Sequence, residues 1–96
     1  GLTLKLAMAA ETFGQREPAR RGYEHALRLA PGEPTASNNL AMLLLHEGQT
    51  LDAAESHARA AVDAADLPVF RDTLARVLLA RKNPPDALEV IAHAVS

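Results

Sequence analysis

Four histidines, His25, His46, His57 and His93, are the side chains of this sequence best able to move a proton near neutral pH or to hold a metal. Metal binding on a helix needs two such ligands about one turn apart and a third nearby. No two of these histidines stand four residues apart. Asp52 and Glu55 stand three apart, but near the start of a predicted helix, where acidic groups interact well with the helix dipole without any catalytic role. Ser37 and Ser56 have neither a glycine elbow nor a nearby base to activate them. Gly14, Gly22, Gly32 and Gly48 are isolated and make no phosphate-cradling loop. The sequence has no cysteine, which removes disulfides, zinc thiolates and thiol nucleophiles together. We expect neither an enzyme nor a bound cofactor or metal.

The chemistry therefore has to lie in a surface, and composition limits which kind. Ninety-six residues suit one small domain, 1–96, that buries about 60–70% of its unfolded surface. The apolar share of 48% is mostly alanine and leucine, with three aromatics, so helices must meet closely through small side chains. Net charge is −2 with acids and bases interspersed, which lacks the basic face and stacking aromatics of a nucleic-acid binder. No apolar run approaches the ~20 residues of a membrane span. The first residues lack the pattern of a secretory leader, and the composition suits cytosol or periplasm equally. The sequence does not begin with Met, and we expect it to be part of a longer protein.

One stretch recurs. Leu40, Ala41 and Leu44 reappear 34 residues later as Leu74, Ala75 and Leu78, and 34 earlier as Leu6, Ala7 and Ala10. The same step links Ala19, Ala53 and Ala87, then Tyr23, His57 and Ile91, then Ala26, Ala60 and Ala94; Gly14 and Gly48 lead to Lys82, and Pro34 to Pro68. No insertion interrupts the register. A fixed period of this size is the mark of a solenoid of stacked supersecondary units, here about 1–33, 34–67 and 68–96.

Periodicity and breakers predict two helices per unit: 2–13, 18–30, 35–46, 51–64, 68–81 and 84–95. In the first, Leu2, Leu6, Ala7, Ala10 and Phe13 share a side, and Gly14 ends it. Pro18 starts the second, whose inward stripe is Ala19, Tyr23, Ala26 and Leu27; Gly22 inside it fits a close approach of a neighbouring helix. Pro31-Gly32-Glu33-Pro34 is a turn. Thr50 is the expected cap of the fourth helix, which presents a wide alanine face of Ala53, Ala54, Ala58, Ala60 and Ala61 with His57 and Val62. Asn83 is the expected cap of the sixth, with Pro84 at its first position. All six prolines fall in turns or first turns. His57, matched to Tyr23 and Ile91, should be partly buried between helices; His25 and His93 match Arg59, an exposed position.

These residues resemble the tetratricopeptide repeat (TPR) family, which places Leu and a small residue in its first helix, Gly in the turn, Ala twice in its second helix and Pro in the connection. The resemblance covers essentially the whole sequence. It departs where the family often has an aromatic (Thr3, Ser37, Arg71), at the turn position Lys82, and at Ala65, where the connecting proline is displaced to Pro68. The resemblance implies a right-handed, all-α solenoid of three helix-turn-helix repeats, six antiparallel helices in all. It also implies a concave groove lined by the first helix of each repeat. Carried over by position, that groove holds Leu4, Lys5, Met8, Glu11 and Thr12; then Thr35, Asn38, Asn39, Met42, Leu45 and His46; then Val69, Asp72, Thr73, Arg76 and Leu79. Some members clamp the C-terminal carboxylate of a chaperone tail with Lys and Asn, then Asn, then Lys and Arg. The matching positions here are Leu4 and Met8, then Asn39, then Val69 and Thr73, so only Asn39 fits and that clamp is missing.

The expected function is a scaffold that takes a peptide or helix of a partner protein on the apolar groove, with Asn38, Asn39 and Arg76 available to its polar groups. Methionine suits a surface that adapts to its partner. The rival expectation is a purely structural or self-associating segment with an empty groove. The last helix carries Leu88, Ile91 and Val95 and the first carries Leu2, Leu4 and Leu6; one neighbouring helix cannot cover all of them, and an uncovered strip predicts self-association through a terminal helix.

Overall fold

The described residues form six α-helices and no strand: α1 Leu2–Thr12, α2 Arg16–Leu29, α3 Pro34–Glu47, α4 Leu51–Ala64, α5 Pro68–Ala80 and α6 Pro84–Val95. The computed structural model describes residues 2–48, 50–81 and 84–95. The side chains of Leu2, Ala87, His93, Ala94 and Val95, the turn position Lys82 and the expected cap Asn83 lie outside the described residues.

Breakers set the ends as the sequence indicates. Gly14 and Gly48 take the left-handed conformation at φ 76° and 72°, and the Gly48 N–H closes α3 onto the Leu44 carbonyl at 3.1 Å. Pro34 and Pro68 occupy first helical positions. Two details differ from expectation. The second helix starts at Arg16, two residues before Pro18, which still lies in the first turn, where no intrahelical N–H bond is lost. Thr50 sits at the cap of α4, but its side chain makes no capping bond. The side-chain cap appears instead on α3, where the Glu33 carboxylate accepts the Thr35 N–H at 2.8 Å.

Helices pack as three hairpins, α1 with α2, α3 with α4 and α5 with α6. The hairpins join through α2 on α3 and α4 on α5, and α3 also touches α5. This is the stacked all-α repeat architecture that the register requires. Alanine is the joint material: Ala19, Ala36, Ala41, Ala54, Ala58 and Ala61 have no exposed surface, and Tyr23, Leu40, Val77 and Leu78 fill the space between them. Gly22 packs directly on Ala7, confirming the close approach of α1 and α2.

The register is obeyed unevenly. Leu6 and Phe13 were expected on the inner side of α1 with Ala7 and Ala10. Ala7 is buried, but Leu6 and Phe13 are largely exposed. Leu6 matches Leu40 and Leu74, which are buried where a second helix of the preceding repeat packs; the described residues hold no helix before α1 to do the same. Phe13 lies one residue past the end of its helix. In α4, Ala60 is exposed and the buried stripe is Ala54, Ala58 and Ala61, one residue on from the match to the stripe Ala19, Tyr23 and Ala26 of α2. Tyr23 anchors the rotation of α2. The alanine-rich α4 has no side chain of comparable size to fix its rotation.

Candidate functional site

The expected groove residues lie on α1, α3 and α5, and the register fixes which of them are equivalent. Met8, Met42 and Arg76 share one position; Glu11, Leu45 and Leu79 share the next on the same side; Leu4, Asn38 and Asp72 share a third. Met8 is 43% exposed, Val69 58% and Leu79 50%, while Leu4, Met42 and Leu45 are half-buried beside them. Leu4 and Leu45 also pack against the core, so they are floor as much as surface. Lys5, Thr12, His46, Asp72 and Arg76 are exposed, and Thr35 is half-buried.

Some of the polar members have partners within the protein. The Tyr23 hydroxyl, at the centre of the α1–α2 hairpin, donates to Glu11 Oε1 at 2.5 Å, with the Asn39 side chain close by. Burial, reinforced by the Glu11 carboxylate, pushes the Tyr23 phenol well above its ordinary pKa. Asn38 Nδ2 lies 3.5 Å from Asn39 Oδ1 as a long donor contact. Asn38 itself is buried, and its Oδ1 has no hydrogen-bond partner. Glu11, Tyr23, Asn39 and Asn38 thus form a polar seam tying repeat one to repeat two beneath the first-helix face. On repeat three, Arg76 pairs with Asp72 at 2.9 Å, and the buried Thr73 returns its hydroxyl to the Val69 carbonyl at 3.3 Å. Thr12 likewise bonds the Met8 carbonyl at 3.0 Å. Among the expected groove residues the exposed apolar side chains are Met8, Val69 and Leu79, with Met42 and Leu45 half-buried. The sequence register proposes these residues as the groove. It missed the role of Tyr23, whose place opposite Glu11 and Asn39 depends on how two helices cross.

Elsewhere the surface is shallow. A depression of about 510 Å³ lies at the α3–α4 turn against the end of α5. Asp52 and Arg81 in its wall are an ion pair at 2.5 Å, and Arg81 also reaches Glu55 at 3.1 Å. Asp52 and Glu55, the two acids weighed for chemistry, thus bind this arginine. His57 is half-buried as expected, and burial lowers its pKa, opposed in part by Glu24. His25 and His46 are exposed. Among the described residues no three His, Asp or Glu side chains converge as metal ligands, and no helix is long and apolar enough to cross a membrane.

No protein-family model matches the sequence, and no curated protein matches it. Solved structures do. The fold is similar to that of the globular C-terminal domain of P. aeruginosa LpoP, with a TM-score of 0.84 over 99% of this chain and 93% of that one, at 24% identity. Likeness at that identity establishes the shared helical architecture.

Proposed function

We propose that the chain is a protein-interaction scaffold of TPR type that holds an apolar segment of a partner protein against the first helices of its repeats. What supports this reading is the exposure of Met8 on α1 and of Val69 and Leu79 on α5, the first helices of repeats one and three, with Met42 and Leu45 of α3 half-buried. Uncovered apolar side chains gathered on one face of a small domain mark an interface, whereas scattered ones do not. The ligand reads as an amphipathic helix or extended segment with two or three apolar anchors to match Met8, Val69 and Leu79. Asp72 and Arg76 form the rim and set register rather than affinity.

Selection from a displayed library of random peptides tests the reading. Binders should converge on apolar anchors at helical or alternating spacing. Met8→Glu combined with Leu79→Glu, both at exposed positions, should weaken them at least tenfold while circular dichroism keeps its helical signal. A selection that enriches nothing, or peptides that bind this variant as well as the parent, would overturn it.

A further inference from the structure

The joint between consecutive repeats is built twice within this molecule, as α2 on α3 and α4 on α5. In the second joint the centre is Glu55 of α4, whose side chain is only 23% exposed. It accepts Arg59 Nε from one turn along α4 at 2.8 Å, and a guanidinium nitrogen of Arg81 from the end of α5 at 3.1 Å. Arg81 also reaches Asp52 at 2.5 Å. The first joint has the same plan with the signs exchanged. Ala54 and Ala58 of α4 take the buried places that Ala19 and Tyr23 take in α2. Arg20 follows Ala19 as Glu55 follows Ala54, and Glu24 follows Tyr23 as Arg59 follows Ala58. Glu47, at the end of α3, is the register match of Arg81. The surroundings of Arg20 agree: Glu17, bonded at 2.6 Å, raises its pKa most, burial opposes, and Glu47 and Glu24 raise it further. A cation of α2 faces acids where an anion of α4 faces cations.

We propose that these two constellations are electrostatic keys of opposite polarity that decide which first helix packs on which second helix. The end of α5 presents Arg81, which α4 attracts through Glu55 and α2 repels through Arg20. The end of α3 presents Glu47, which α2 attracts and α4 repels. The apolar residues of the two first helices cannot make this distinction, because Leu40 and Leu44 of α3 match Leu74 and Leu78 of α5 and all four are buried. Repeats of one pattern are prone to pack out of order. Surface ion pairs add little stability, whereas like charges brought together cost more, so the polarity acts chiefly by excluding the wrong pairing. The keys lie outside the proposed groove and stand or fall apart from the binding proposal.

Urea unfolding of the whole chain, followed by circular dichroism, tests this with mismatched joints made in place. Arg81→Glu gives α5 the charge of α3, and Glu55→Arg with Arg59→Glu gives α4 the polarity of α2. Each mismatch should lower the folding equilibrium constant about tenfold, and Arg81→Ala, which only removes the pair, less than about threefold. The triple variant combines Arg81→Glu, Glu55→Arg and Arg59→Glu. Its charges match again, and it should return to within about threefold of the parent. Because it carries the same change at Arg81, its recovery separates charge matching from the effect of an acid at a helix end. All these differences should shrink in about 1 M sodium chloride, where exposed charges are screened beyond about 3 Å. Arg81→Glu no more harmful than Arg81→Ala would overturn the proposal, and so would a triple variant as weak as the mismatches. If the Glu55 and Arg59 variant does not fold, the comparison of Arg81→Glu with Arg81→Ala still decides.

Discussion

Gly22 of α2 faces Ala7 of α1 so closely that a Cβ on Gly22 would stand 2.7 Å from the Ala7 Cβ and 3.2 Å from its Cα. The hairpin of repeat one is set by that contact. Its atoms cannot swing aside, because the Ala7 Cβ is fixed to the backbone. Gly22→Ala gains about 1 kcal/mol of helix propensity. It should lose more than that by overpacking, which costs about 1–3 kcal/mol. The urea midpoint should fall with an unchanged slope. Adding Ala7→Gly should recover part of the loss, a coupling expected only of residues in contact. A stabilised single variant would mean the two helices are farther apart than described.

Tyr23 holds the seam between repeats one and two. Tyr23→Phe leaves the Glu11 carboxylate without its partner beside the Asn39 side chain, at a cost of about 1–3 kcal/mol. The effect should appear in the melting temperature, and an unchanged value would remove the seam from the account.

The same residue gives a second test at high pH. The folded phenol has a pKa above its unfolded value of about 10. Stability from this group is complete below about pH 10 and declines as pH rises beyond it. Since this is the single tyrosine in a sequence without tryptophan, its ultraviolet ionisation signal should appear together with loss of helicity. Ionisation at an ordinary pKa in the folded protein would contradict the buried, carboxylate-bonded placement.

His57 acts at the other end of the scale. Burial, the larger influence, lowers its pKa, and Glu24 opposes it. A base whose folded pKa lies below the unfolded value of about 6.5 contributes fully above that value and loses its contribution as pH falls toward the folded pKa. Melting temperature should therefore drop on acidification below about pH 6.5, and His57→Gln should have a shallower decline. Parallel curves for the two proteins would place His57 in solvent.

These tests also show where the sequence was legible. Gly48, Pro34 and Pro68 act locally, so their residue types announced the helix ends. The 34-residue register gave the repeat count because it reports which positions are equivalent. It does not report whether a neighbour covers them. Leu6 and Leu40 are matched in sequence and opposite in exposure for that reason. Capping failed in both directions: Thr50 has the preferred residue type and makes no cap bond, while Glu33 caps through a turn geometry its type does not signal. Among the proposed groove residues, periodicity assigned Met8, Met42, Leu45 and Leu79 to the first helices, which carry them as α1, α3 and α5. It could not place Asn38 and Asn39, because their partners depend on where the Tyr23 hydroxyl reaches across a helix crossing.

If a partner segment lies across the first helices as proposed, it meets the two methionines of the sequence, Met8 of α1 and Met42 of α3. Carbon-13 methyl labelling of methionine therefore gives two resonances, each reporting the face directly. Titrating a library-selected peptide into the labelled protein should shift or broaden both, and Met8→Glu with Leu79→Glu should abolish the response of the remaining Met42 methyl. A peptide that binds while leaving both methyl resonances of the parent unmoved would contradict the account.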